Sequence, residues 1–162
     1  MQARFAVKLF ASAKELGIHT AIETNGFYGA RLSDNELANI DLVILDIKAF
    51  SLEQHKRVTA DIDNAPVLAF CHRLAALKRP MWLRYVLVPG LTDDENEMEK
   101  VAAFTRKLGV VELAEILPFH QMGRFKWKRL GIDYSLSEVT PPSEESVRSA
   151  INIFRKAGLN AC

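Results

Sequence analysis

Two short groups of side chains in this sequence have the types and spacing for chemistry. Asp46 and Lys48 stand two apart at the end of Asp-Leu-Val-Ile-Leu-Asp-Ile-Lys, residues 41 to 48. An apolar run that short, with charge at both ends, reads as a strand buried on both faces of a parallel sheet. On extended backbone, residues two apart point to the same side, and an acid and a base buried there need a ligand or each other. In barrels of parallel strands the working residues sit at the carboxyl ends of strands. A plain ion pair closing the end of the sheet remains the alternative. Glu23 and Thr24 form the second group, just before Asn25-Gly26, a turn whose glycine suits positive φ.

Two further residues join them by position. Arg84 alternates with Leu83 and Tyr85 in Met81 to Val88, which puts a guanidinium on one face of an otherwise apolar run; a surface position would explain it equally well. His120 follows Pro118-Phe119 at the end of Glu112 to Leu117, where it is either a site residue or a satisfied structural histidine.

The elements that would position these residues alternate. Phe5, Leu9, Ala13 and Leu16 predict an opening helix ended by Gly17. His19 to Glu23 predicts a strand, followed by a capping box in Ser33-Asp34-Asn35-Glu36 and a short helix through Leu37 and Ile40. After the central strand come a second box, Ser51-Leu52-Glu53-Gln54, and a helix from about Pro66 to Leu77. A strand over Met81 to Val88 precedes a third box, Thr92-Asp93-Asp94-Glu95, and a helical stripe of Met98, Val101, Ala102, Thr105 and Leu108 stopped by Gly109. The last strand is Glu112 to Leu117. Gly123 to Arg129 reads as a solvated loop anchored by Phe125 and Trp127, although its alternation of bases and aromatics could also grip a nucleic acid. Ser143 opens a closing helix that ends at Gly158.

Composition removes several function classes. With 162 residues, 49% of them hydrophobic and 25% charged, the chain can bury a core and is expected to form one domain, residues 1–162. A formal net charge of +1 argues against nucleic acid or an anionic membrane surface as the main partner. No apolar run is long enough to span a bilayer and no signal pattern opens the chain, so the expected location is cytoplasmic. Cys71 reads as a small buried residue and Cys162 as a loose tail, and the two alone build neither an iron-sulfur nor a zinc site.

The implied fold class is α/β, with four parallel strands joined by right-handed crossovers, an incomplete (β/α) barrel with its helices outside. Four strands are too few for closure. The first would expose an edge, and an unpaired opening helix makes Met1 look like the edge of a larger chain, with strands expected on its amino side.

Several blocks together carry a resemblance. Gly17-Ile18-His19-Thr20 through Glu23-Thr24-Asn25-Gly26, Asp41 to Lys48, Trp82-Leu83-Arg84-Tyr85-Val86-Leu87-Val88-Pro89-Gly90, Phe104-Thr105-Arg106, Leu117-Pro118-Phe119-His120 and the Lys126-Trp127 segment resemble, in order and spacing, the carboxyl-terminal portion of the pyruvate formate-lyase activating enzyme family. These are radical S-adenosylmethionine (SAM) proteins. The resemblance implies a six-stranded partial barrel that binds SAM at its carboxyl-terminal rim. There a reduced [4Fe–4S] cluster, fed by a donor such as flavodoxin, cleaves SAM to methionine and a 5′-deoxyadenosyl radical, which takes a hydrogen atom from a glycine of pyruvate formate-lyase or a related glycyl-radical enzyme.

By the same resemblance, Lys48, His120 and Asp46 are similar to residues that contact SAM. Glu23, Thr24 and Asp46 are similar to those around a monovalent cation beside its carboxylate, although the family often has aspartate where Glu23 stands. Arg84 resembles an arginine facing the reaction space and the incoming glycine loop. Lys48 and His120 can make charge-assisted bonds to an amino-acid end, and hard oxygens suit such a cation.

The family's C-x-x-x-C-x-x-C loop and its glycine-rich GGE-type strand end are absent, and cluster ligation needs those thiolates. The isolated chain is therefore expected not to cleave SAM. Two other readings stay open: a barrel enzyme using Lys48 as a Schiff-base nucleophile with Asp46 and His120 moving protons, or a non-catalytic fragment or binding module.

Overall fold

The computed structural model describes residues 3–162. Helix α1 (Ala3–Glu15) leads through Gly17, at φ +71°, to strand β1 (Ala21–Thr24). Helix α2 (Asp34–Leu37), strand β2 (Leu42–Asp46), helices α3 (Leu52–Val58) and α4 (Ala65–Ala76), and strand β3 (Met81–Leu87) follow. Helix α5 (Glu95–Leu108), strand β4 (Val111–Pro118), helix α6 (Arg124–Leu130) and helix α7 (Glu144–Lys156) complete the order. The four strands pair in parallel in the order β1-β2-β3-β4, the arrangement that alternating strands and helices impose.

The period-two alternation of the strands divides the sheet into two unlike faces. Val43, Leu45, Leu83, Tyr85, Leu87, Ala114 and Ile116 are buried together with Phe70, Leu74, Val101 and Phe154 from the helices. Tyr85 packs on Phe154 with ring centroids 5.7 Å apart, and its hydroxyl donates to the Thr92 carbonyl at 2.7 Å. The residues of opposite parity, among them Glu23, Ile44, Asp46, Trp82, Arg84 and Glu115, are only partly covered. A strand buried on both faces was expected for β2, but its Ile44 and Asp46 lie on this open side. Among the described residues no strand pairs with the outer side of β1, which is the exposed edge the strand count implies. No helix is long and apolar enough to cross a membrane among the described residues.

Four local expectations are corrected. The Ser33 capping box forms in both halves, but Ser51 makes no side-chain cap; Glu97 of α5 takes its place by accepting the N–H groups of Phe50 and Ser51 at 2.6 Å each. Thr92 caps nothing either. Its hydroxyl accepts from Val88 N and donates to Val86 O, tying off the end of β3, and Asp94 is the N-cap of α5. The basic-aromatic segment is helical, since no glycine or proline interrupts Arg124 to Leu130 and Gly131, at φ +65°, ends it. Trp127 stacks on Tyr134 at 5.3 Å, whereas Phe125 is exposed and anchors nothing. The tail at Cys162 is not loose. It runs parallel to β4, with Ala114 N donating to Asn160 O and Ile116 N to Cys162 O, both at 2.8 Å.

Candidate functional site

The open face gathers its charges because register and alternation agree. Glu23 lies opposite Ile44, two residues before Asp46; Asp46 lies opposite Arg84, and Arg84 opposite Glu115. The four strands therefore present one guanidinium among three carboxylates. Arg84 Nη1 meets Glu23 Oε2 at 2.7 Å, and its Nε donates to Glu115 Oε2 at 2.7 Å. These bonds, Glu115's first and Glu23's second, hold the guanidinium more firmly charged than usual. Solvent limits what they contribute, about 0–1 kcal/mol for each partly exposed pair.

Lys48 continues the same parity one step past the strand, and its Nζ lies 3.4 Å from Asp46 Oδ2. Three carboxylates against two cations leave the group one negative charge, which favours a ligand with a positive centre. The chain turns away from this rim at Asn25-Gly26. Gly26 sits at φ +74°, which residues with a side chain rarely adopt, and a Cβ there would also come within 2.9 Å of Leu45 Cδ1, so a larger residue strains the turn and shifts the Leu45 side chain.

Thr24 and His120 stand apart from this group. Thr24 has the parity opposite to Glu23, and its hydroxyl accepts the Gly26 N–H at 3.1 Å, closing the turn. His120 follows the carboxyl end of β4, exposed, where its Nδ1 accepts from Met122 N at 3.4 Å. Of the six residues singled out from the sequence, the fold thus brings Glu23, Asp46, Lys48 and Arg84 together on one side of the sheet.

Behind the end of β2 lies a cavity of about 220 Å³, reached by Asp46, Lys48, Asn25, Phe27, Thr59 and His55. His55, on α3, is 4% exposed, and its Nδ1 has no hydrogen-bond partner among the described residues. Burial pushes its pKa down; a bond to the Ala49 backbone and the charge of Asp63 oppose this, while the charge of Lys48 adds to it.

Glu115, His55 and Glu97 were not singled out from the sequence. Glu115 had a signal, since Glu-Leu-Ala-Glu-Ile-Leu places a second acid within a strand, but its meaning depends on register with Arg84. His55 and Glu97 carried none beyond their residue type.

The chain's own donors do not fit an iron-sulfur cluster. Cys71 is fully buried beneath the sheet, with its thiol pushed up to about 12 by burial, and Cys162 lies at the far end of the chain. Among the described residues no three metal-ligating side chains come together. Glu23, Thr24 and Asp46, which the resemblance assigns to a monovalent cation, each have another partner in this structure. Glu23 is engaged by Arg84, Thr24 faces the other way, and Asp46 pairs with Lys48.

Comparison with known proteins places this arrangement. Residues 1–102 match the radical SAM superfamily. The pyruvate formate-lyase-activating enzyme of Streptococcus mutans is 42% identical over 156 residues, 93% of this chain and 59% of the relative. That of Staphylococcus aureus is 41% identical over 156 residues, covering 93% of this chain and 62% of its own length. The chain thus spans about three fifths of the curated relatives it matches. Among solved structures, a domain of pyruvate-formate lyase-activating enzyme from Bacteroides vulgatus superposes with a TM-score of 0.77 at 23% identity, covering 99% of this chain and 89% of that one. SuiB of Streptococcus suis superposes at 0.68 and 11% identity, covering 96% of this chain and 35% of that chain. These likenesses establish the fold, an open parallel sheet of the partial-barrel kind. With nearly two thirds of its length matching the superfamily and the strands arranged accordingly, the chain belongs to the radical SAM superfamily.

Proposed function

We propose that this chain forms the carboxyl-terminal part of a SAM-binding rim in a glycyl-radical-enzyme activase. The observation that carries the reading is the shared face of Glu23, Asp46 and Arg84, with Lys48 at the strand end beside them. Bound SAM would supply the hydrogen-abstracting chemistry. The chain's own residues bind and orient it: Lys48 offers N–H donors to the carboxylate of the amino-acid end, and Asp46 offers an acceptor to a positive group. His120, after the end of β4, is proposed by the same reading as a further contact. Glu23, Thr24 and Asp46 belong to the proposed surroundings of a monovalent cation, which Glu23 joins only by leaving Arg84.

Arg84 faces the open side of the sheet, where a protein substrate's glycine loop would enter. The clamp by Glu23 and Glu115 fixes its orientation, and the 41–42% identity to activating enzymes supports pyruvate formate-lyase or a related glycyl-radical enzyme as the partner. A reductant such as flavodoxin belongs to the complete activity. The residues of this chain do not fit the cluster that would receive the electron, and the isolated chain is expected to leave SAM intact.

Calorimetric titration of SAM into the purified chain tests the binding half of this reading. Saturable binding is expected, weakened about tenfold or more by Lys48→Met; absence of binding, or indifference to that substitution, would overturn it. Anaerobic reconstitution with iron and sulfide tests the other half, and appreciable 5′-deoxyadenosine would count against it.

A further inference from the structure

The cavity behind β2 holds a polar atom that nothing in the site description uses. His55 is nearly all buried, yet Nδ1 has no partner among the described residues. A buried nitrogen left unsatisfied is unfavourable, so its retention needs a reason. Burial favours the neutral ring, whose single proton can sit on Nε2. With a proton on that nitrogen and the imidazole neutral, Nδ1 presents a lone pair and requires an N–H or O–H donor.

The same cavity contains such a donor. Lys48 lines it with three N–H groups, and its Nζ lies a long 3.4 Å from Asp46 Oδ2. Asn25 and Tyr28 also line the cavity, Asn25 oriented by the Phe27 N–H on its Oδ1 and Tyr28 lying under the Arg31 guanidinium, and of the three Lys48 is the one whose charge acts on the His55 ring. Thr59 spends its hydroxyl proton on the His55 and Ile62 carbonyls. The volume, about 220 Å³, leaves room for the lysine head or for a water between the two groups.

We propose that His55 is a positioning residue whose Nδ1 accepts an N–H of Lys48 directly and so fixes the ammonium at the rim when Asp46 turns to a ligand. This rests on the reading of Lys48 as a SAM contact. The neutral imidazole accepts without adding charge, which leaves Lys48 free to meet an anionic group. Asp46 and Lys48 from the end of β2 and Asp63 from the segment after α3 are the charged groups around the ring.

Histidine-labelled chain reports Nδ1 directly in long-range proton–nitrogen correlation spectra. In the proposed arrangement Lys48→Met moves the Nδ1 resonance downfield, to the position of an unbonded nitrogen. An Nδ1 signal indifferent to that substitution overturns the proposal, including the case in which a water alone fills the cavity. Titration with SAM supplies the second arm. His55→Gln keeps an acceptor and is expected to hold affinity within about threefold, whereas His55→Phe fills the space without one and is expected to lose about tenfold. Equal affinity for the two variants overturns the positioning role. If His55→Phe does not fold, His55→Gln and the Lys48→Met spectrum decide. If the wild-type chain binds no SAM, the functional reading fails, and the Nδ1 resonance still decides the contact.

Discussion

Glu97 reaches across from α5 to accept the backbone N–H of Ser51 at 2.6 Å, and the same oxygen accepts the N–H of Phe50. One side chain, 5% exposed, thus caps the helix that carries His55. An anionic acceptor at a helix amino end combines hydrogen bonding with the favourable field of the helix dipole.

Removal of this carboxylate should therefore act at a distance. Glu97→Ala leaves two donors without an acceptor, and bonds to a charged group contribute about 1.5–3 kcal/mol each. The expected loss is about 3 kcal/mol, read as a lower midpoint in urea denaturation; Glu97→Gln should lose about half as much. A loss below about 0.5 kcal/mol for Glu97→Ala would show that water replaces the cap.

The turn after β1 gives a second expectation. Gly26→Ala meets both the left-handed φ of +74° and a 2.9 Å approach to Leu45 Cδ1. A strained backbone position costs about 1–3 kcal/mol, so a destabilisation in that range is expected by thermal or denaturant unfolding. Gly90 has a similar φ with open space around its missing side chain. Gly90→Ala should cost less, and the difference isolates the steric part.

Much of this arrangement was legible in the residues themselves. Strand count, parallel pairing and the grouping of Glu23, Asp46 and Arg84 follow from alternation and from turn residues such as Gly26, all of which act locally. Partners chosen in three dimensions were not legible. The Ser51 sequence has the spacing of a capping box, but Glu97, 46 residues away, competes for the same amides and wins. Glu115 was visible as a charge in a strand, yet only the register with Arg84 makes it half of a clamp. The basic-aromatic segment was misread because alternation of residue type says nothing about backbone period when every member tolerates a helix.

Stability toward acid is expected to depend on Asp41. Its carboxylate pairs with Lys14 at 2.6 Å and accepts the Thr20 N–H at 2.8 Å, contacts that hold its pKa down to about 2 from the ordinary 3.8. A carboxyl with a depressed folded pKa stabilises the folded form above its unfolded value, and the contribution is lost as pH falls through the folded one. The window is therefore about pH 4 to pH 2. Because α1 buries none of its residues and Lys14 ties it to the start of β2, α1 should detach first. Protection of the Thr20 amide, taken relative to its intrinsic exchange rate at each pH, should fall across that window in the wild type and be low throughout in Asp41→Asn.

The carboxyl-terminal tail provides the last test, and it bears on the site. Asn160 and Cys162 accept the N–H groups of Ala114 and Ile116, Cys162 N donates back to Ala114 O at 3.1 Å, and Arg155 Nε donates to Ala161 O at 2.9 Å. Ala114 is completely buried, so removing residues 160–162 strips an edge that water reaches poorly. At about 1 kcal/mol for each bond, the truncation should cost about 2–4 kcal/mol, with loss of hydrogen-exchange protection at Ala114 and Ile116. Glu115 lies between those two residues and faces the other way, toward Arg84. Slack in this part of β4 therefore loosens the clamp on the guanidinium, and Arg84 side-chain resonances should broaden in the truncated chain. Unchanged protection at both amides would mean that the tail only lies against the strand without bracing it.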